Sequence, residues 1–190
     1  MVALTTKLDA VNTCLESVWE APVSTLEVSG VASVAQAKRV LDKVSRAVQT
    51  RGWSFNTEED LTLTPDVNSI ITLPANTLEV DSFGVSADKD VVQRGTQLYD
   101  RGKHTFTFTV PVHVRIIYLF DFEDLPESAR NYIAVQAARV FRDEYQQKDT
   151  TSPPTMIEME ALRNFEQHEA QTQDSNMLND SWSVAQTLQR

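Results

Sequence analysis

Carboxylates and imidazoles are the side chains here that acid–base chemistry or a metal would use. The carboxylates gather as Glu58-Glu59-Asp60, as Asp121 with Glu123-Asp124, and as Glu158 with Glu160. A polysaccharide hydrolase needs two carboxyl groups facing each other across a cleft, one with its pKa raised by burial. Sequence spacing leaves that alternative open. Most of these groups, however, flank expected helix starts or turns, where a solvated carboxylate is favoured by the helix dipole. The three histidines, His104, His113 and His168, are isolated along the chain, His113 in an expected strand and His168 on a polar helix. Each reads as a surface or satisfied histidine, because catalysis or metal binding requires a convergent set. The single cysteine, Cys14, has no partner for an intramolecular disulfide and no companion thiolates for structural zinc. At the edge of the stripe formed by Leu8, Val11, Leu15 and Val18, it reads as a small, half-buried hydrophobe. The sequence contains no phosphate-binding glycine loop, Gly-x-Ser-x-Gly elbow, His-Glu-x-x-His pair or calcium loop. The expectation is a chain with no catalytic, cofactor or metal site.

Composition sets the class. A chain of 190 residues buries about 70% of its unfolded surface and folds without staples. The net charge of −10 argues against a protein that grips phosphate backbones, since that affinity comes from Lys and Arg displacing counterions. An acidic wall instead repels a duplex, which suits a conduit through which DNA slides; acidity also simply keeps a protein soluble. No stretch approaches the roughly 20 apolar residues of a bilayer span. Met1–Lys7 does not read as a secretory signal, so synthesis and folding in a cytoplasm are expected.

The elements that must position these side chains follow from periodicity. A first helix is predicted from Thr6 to Trp19, opened by a Thr6-x-x-Asp9 capping pattern and carrying Leu4, Leu8, Val11, Leu15, Val18 and Trp19 in one sector. Pro22 closes it, and Ala21–Gly30 reads as a connector. A second helix, Ser33 to Arg51, presents Val34, Ala37, Leu41, Val44 and Val48 on one face, with Gly52 as its C-cap. From Trp53 the period becomes alternating, through Phe55, Leu61 and Leu63. Candidate strands follow at Ile70–Leu73, Thr77–Val80, Val91–Gln93, Gln97–Tyr99, Thr105–Val110 and Val112–Leu119, punctuated by Gly and Pro. Pro111, which cannot donate to a ladder, belongs at an edge, bulge or strand end. Leu125-Pro126-Glu127-Ser128 announces a third helix, reaching Gln147. Its wide apolar sector takes in Ala129, Ile133, Ala137, Ala138, Val140, Phe141 and Tyr145, and leaves Arg139, Arg142 and Asp143 on the other side. A fourth helix, from Thr155, carries Met156, Met159, Leu162 and Phe165 on a narrower stripe.

The resulting fold class is α+β: a helical bundle built from N- and C-terminal helices, a central antiparallel β insertion and an extended C-terminal tail. The expected division is 1–52 with 124–172 as the bundle, 53–123 as the β subdomain and 173–190 as the tail. In that polar tail Met177, Leu178 and Trp182 are the candidate interface residues, since Met and Trp supply contact area to a segment that docks on a neighbour. A short terminal helix folded back on its own bundle is the competing reading.

Specific strings then accumulate. Ala10-Val11-Asn12 is followed by Pro22-Val23-Ser24-Thr25-Leu26-Glu27. The second helix runs into Arg51-Gly52-Trp53-x-Phe55-Asn56-x-Glu58-Glu59, with Leu61-Thr62-Leu63 and Pro65-Asp66-Val67 beyond. Arg94-Gly95 and Tyr99-Asp100-Arg101 lie in the β region, and Asp121-x-Glu123-Asp124-Leu125-Pro126-Glu127 leads to Arg130, Tyr132-Ile133 and Ala138-Arg139-x-Phe141. Asn176-Met177-Leu178 is a fainter match. In this order the strings resemble tail tubular protein A of short-tailed, podovirus-type phages, the Arg-Gly-Trp-x-Phe-Asn block being the most specific. The chain departs from the pattern at Leu73–Asp90 and after Gln147. The resemblance implies a non-enzymatic virion protein, assembled in the host cytoplasm. It would form a twelve-subunit ring between the portal protein and the nozzle, tail tubular protein B. DNA would pass through the lumen without specific binding; neither a cofactor nor a membrane is implied.

Overall fold

The computed structural model describes residues 4–27, 32–148 and 152–180, with side chains through Thr172. Among these residues the order is α1 (Lys7–Glu16), α2 (Ala32–Gln49), β1 (Thr57–Leu63), β2 (Thr77–Ser82), β3 (Val91–Arg94), β4 (Gln97–Asp100), β5 (Val112–Tyr118), α3 (Glu127–Tyr145) and α4 (Met156–Asp180). Helices flank a central antiparallel β region, the α+β class expected. The chain divides into two compact units, residues 49–120 and residues 1–48 with 121–190.

The helical unit begins where the capping pattern put it. Thr6 accepts from the Asp9 amide, and the Asp9 carboxylate accepts from the Thr6 amide, so two otherwise orphaned donors are satisfied reciprocally. The Thr6 hydroxyl, which donates to the Asp9 carboxylate, and the Thr6 amide hold the Asp9 carboxyl below its usual pKa. The buried face of α1 is Ala10, Val11, Cys14 and Leu15, so Cys14 is fully enclosed rather than half-buried. Leu4 (51% exposed) and Trp19 (97% exposed) stand outside the expected stripe. The reason is the early helix end. Trp19 donates to the Glu16 carbonyl and Glu20 to the Leu15 carbonyl, the paired bonds of a Schellman turn, with Trp19 in the left-handed region at φ 65°. Glycine is usual there; a residue with a Cβ is strained by about 1–2 kcal/mol. The Asn12 side chain then ties down the connector, accepting from the Val23 amide and donating to its carbonyl.

In α2 the expected face is the buried one, Val34, Ala37, Leu41, Val44 and Val48, joined by Val40. Helices α1 and α3 run parallel: Thr5 meets Glu127, the Ser17 hydroxyl reaches the Ala138 carbonyl, and the Tyr145 hydroxyl donates to Glu20. Helix α4 runs antiparallel to α3, Glu158 opposite Arg139 and Phe165 stacked on Tyr132. The backbone of α4 stays helical through Asp180, so the expected 173–190 tail opens as helix.

The β unit is organised on β5. A three-stranded sheet has the order β1-β5-β2, both pairings antiparallel, and β3 pairs with β4 in a separate hairpin. Val112, Val114, Ile116 and Tyr118 alternate inward from β5 and meet Ile71, Leu73, Val80, Val91, Leu98 and Phe108, the period-2 burial of a central strand. Pro111 sits immediately before β5, at a strand end. Ile70–Leu73 and Thr105–Val110 do not become strands. They contribute core side chains but only isolated bridges, Ile70 with Thr107, Thr72 with Gln97 and Asp100 with Thr105. Likewise Trp53 and Phe55 belong to a turn, because Asn56 organises that segment: its amide donates to the carbonyls of Gln49 (2.9 Å) and Tyr118 (2.8 Å) while its oxygen accepts from the Trp53 amide (2.8 Å). The α2 helix ends at Gln49, before the expected cap, and Gly52 adopts φ 72° with its ideal Cβ position 2.7 Å from Ile117 Cδ1. The left-handed conformation favours glycine, and a Cβ there would make the end of the Ile117 side chain shift.

Candidate functional site

Of the carboxylates singled out in the sequence, Glu58, Glu59, Asp60 and Glu158 have side-chain partners within the fold. Glu58-Glu59-Asp60 lies on β1 at a bulge, where Glu59 and Asp60 stand between the pairs Glu58 with Ile116 and Leu61 with Val114; Asp60 takes φ 58°. The bulge aims each carboxylate at a different residue of β5. Tyr118 donates its hydroxyl to Glu58 at 3.2 Å, Arg115 lies 3.5 Å from Glu59, and Asp60 is 2.7 Å from His113 Nδ1. Burial and the Glu58 charge together raise the Tyr118 pKa. His113 is therefore satisfied in its strand. Asp121, Glu123 and Asp124 surround a short turn before α3, where the Glu123 carbonyl accepts from Arg130.

A second set of charges is buried. Arg139 donates to both oxygens of Glu158, at 2.5 and 2.9 Å, and to the Ser152 carbonyl at 2.8 Å; the two side chains are 8% and 4% exposed. The Glu158 bonds raise the Arg139 pKa. Asp143 accepts from the Ser152 amide (2.7 Å), the Ser152 hydroxyl (2.9 Å) and Lys148 (3.3 Å). Burial pushes the Asp143 carboxyl up, but these donors outweigh it and leave the pKa below its usual value. Arg139 and Asp143 lie on the side of α3 opposite its apolar sector, and that side is covered, by Glu158 of α4 and by Ser152 before it; the buried charges survive there because they are paired. Cys14 has a thiol pKa pushed up to about 12 by burial, which makes it inert filler. Among the described residues no group of His, Cys, Asp and Glu could hold a metal ion, and no helix is long and apolar enough to cross a membrane.

The α4 stripe is rotated from the one expected. Glu158, Ala161, Phe165 and Glu169 are buried, while Met156 (78%), Ile157 (69%) and Met159 (44%) are exposed. These three, with Glu160, Arg163 and Asn164, line an open cavity of about 320 Å³. Reading by hydrophobicity alone missed this face; the signal was Glu158 three residues before Ala161 and seven before Phe165, with Arg139 available to neutralise it. Of the candidate interface residues, Met177 and Leu178 lie on the final turns of α4, where only the backbone is described, and Trp182 lies outside the described residues.

Glu59 and Glu158 are paired with arginines, Glu58 and Asp60 bond a tyrosine and a histidine, and the start of α4 exposes apolar side chains. A family model for tail tubular proteins matches residues 8–186. The chain is 33% identical over 128 residues to the tail tubular protein A of Klebsiella phage KP34, covering 67% of each. The chain therefore belongs to the tail tubular protein family, and its role is a structural, non-enzymatic one in the phage tail.

Proposed function

We propose that this chain is one subunit of a twelve-membered adaptor ring, joining the portal protein to the nozzle built from tail tubular protein B and forming part of the DNA ejection channel. The observation that carries the reading is the family match over residues 8–186, nearly the full sequence. Charge agrees with it. Twelve copies at −10 each sum to about −120, a field that lets DNA slide past without adhering. Assembly in the host cytoplasm and placement in the virion tail belong to the same proposal. Electron microscopy of isolated tails, and of the protein mixed with portal, tests it: a closed twelve-fold ring at the portal is expected. A protein that stays monomeric beside portal but binds duplex DNA tightly and in a salt-sensitive way would refute it.

A further inference from the structure

Two strands of the β unit turn unpaired edges toward each other. β2 is the last strand of the order β1-β5-β2, and β3 belongs to the separate β3-β4 hairpin. The antiparallel register says which backbone groups stand on those edges, because alternate residues exchange both bonds with the partner strand. The Phe83 amide donates to the His113 carbonyl, so Asp81 bonds with Arg115 and the amide and carbonyl of Val80 turn away from β5. The Arg101 amide donates to the Asp90 carbonyl, so Val92 bonds with Tyr99 and the backbone groups of Gln93 turn away from β4. Among the described residues no other backbone group takes up those of Val80 or Gln93.

The edges meet at one end, where the Ser82 hydroxyl donates to the Lys89 carbonyl at 2.6 Å. Beyond that bond lies an open groove of about 410 Å³, lined by Leu78, Glu79 and Val80 from β2 and by Val92, Gln93 and Gly95 from β3 and its turn. In a sheet each residue takes roughly 150 Å³, from a rise of about 3.3 Å, a strand spacing of about 4.8 Å and a sheet thickness of about 10 Å. The groove therefore has room for about two to three residues.

Unpaired strand edges are templates for another strand, and buried amides and carbonyls need such a partner. Side chains narrow the choice. Leu78, Val80 and Val92 make the lining apolar. Glu79 in the lining and Asp81 beyond it are exposed carboxylates, and no ion pair among the described residues includes either. Outside the described residues this chain's only Lys or Arg is Arg190, so a basic segment comes from elsewhere. We propose that the groove between β2 and β3 binds an extended segment of a partner protein, alternating apolar with basic residues, which adds as a strand to the two free edges. This binding is separate from the ring reading and needs no ring.

Hydrogen exchange of the full chain, followed residue by residue by NMR, tests it with a capped six-residue peptide alternating Lys and Val. Saturating peptide should slow exchange of the Val80 and Gln93 amides at least about tenfold, as new backbone bonds do. The same peptide N-methylated at every residue, and so without donors, should give no slowing, and neither should one alternating Glu and Val. Glu79→Lys, at an exposed position, should weaken the Lys–Val peptide about fivefold. Unchanged exchange at both amides with the Lys–Val peptide, or equal slowing by either control peptide, overturns the proposal. So does protection already complete in the free, dilute chain, which would put a segment of this chain in the groove. Slowing that grows with protein concentration alone would put a second copy there and overturns it too. Ring assembly is untouched by any of these results.

Discussion

Asp143 shows how a single side chain can be misread from its type. A carboxylate opposite an apolar stripe is normally solvated; here it is 6% exposed and accepts three bonds from Ser152 and Lys148. Its folded pKa lies below the usual value, so the sign is that of a depressed acid: stability is present above the unfolded pKa of about 3.9 and is lost as pH falls through the folded value. Asp143→Asn keeps an acceptor but removes the charge, and should cost about 1–2 kcal/mol near pH 7. Urea unfolding of the variant and the parent should show that gap closing below about pH 4. A gap unchanged between pH 7 and pH 3 would mean that the charge of Asp143 contributes nothing. At this scale the sequence was legible where a residue acts on near neighbours, as in the Thr6–Asp9 box. It was silent where the partner lies far along the chain, as for Asn56 with Tyr118 or Asp60 with His113.

Elements were readable to the extent that hydrophobic period decided their burial. The α2 face and the inward alternation of β5 follow directly from their residues, because apolar contacts hold both. Ile70–Leu73 and Thr105–Val110 look like strands because β-branched and aromatic residues fill them, yet without a continuous ladder partner they supply core side chains from irregular backbone. Helix α4 failed for the opposite reason, since an ion pair takes a place on its inward face beside Ala161 and Phe165. The Arg139–Glu158 pair therefore helps to fix which face of α4 turns inward. Glu158→Ala leaves Arg139 buried without its carboxylate and should destabilise the protein by about 3–5 kcal/mol. Arg139→Met with Glu158→Leu removes both charges at similar volume and should recover most of that loss. Denaturant titration of the single and double variants measures the difference. If the double variant is as unstable as the single one, the pair acts through geometry that apolar packing cannot replace.

For the whole molecule, we expect folding and assembly to draw on different parts of the chain. Among the residues whose side chains are described, the last buried one on α4 is Glu169, and Met177, Leu178 and Trp182 follow it in the sequence. Those three were chosen from the sequence as docking residues in a polar stretch, and the same logic underlies a prediction at this scale. Deleting Asp174–Arg190 should leave the unfolding midpoint and its cooperativity within about 0.5 kcal/mol of the full chain, the outcome expected of a polar segment that serves docking rather than the core. Ring assembly or attachment to portal should weaken, because the removed segment holds large anchors with little of its own to bury. Thermal or urea unfolding followed by circular dichroism reads the first effect, and the fraction of chain retained in assembled tails reads the second. Loss of cooperative unfolding on truncation would assign the segment to the core. Unchanged assembly with an unchanged fold would show that the segment serves neither.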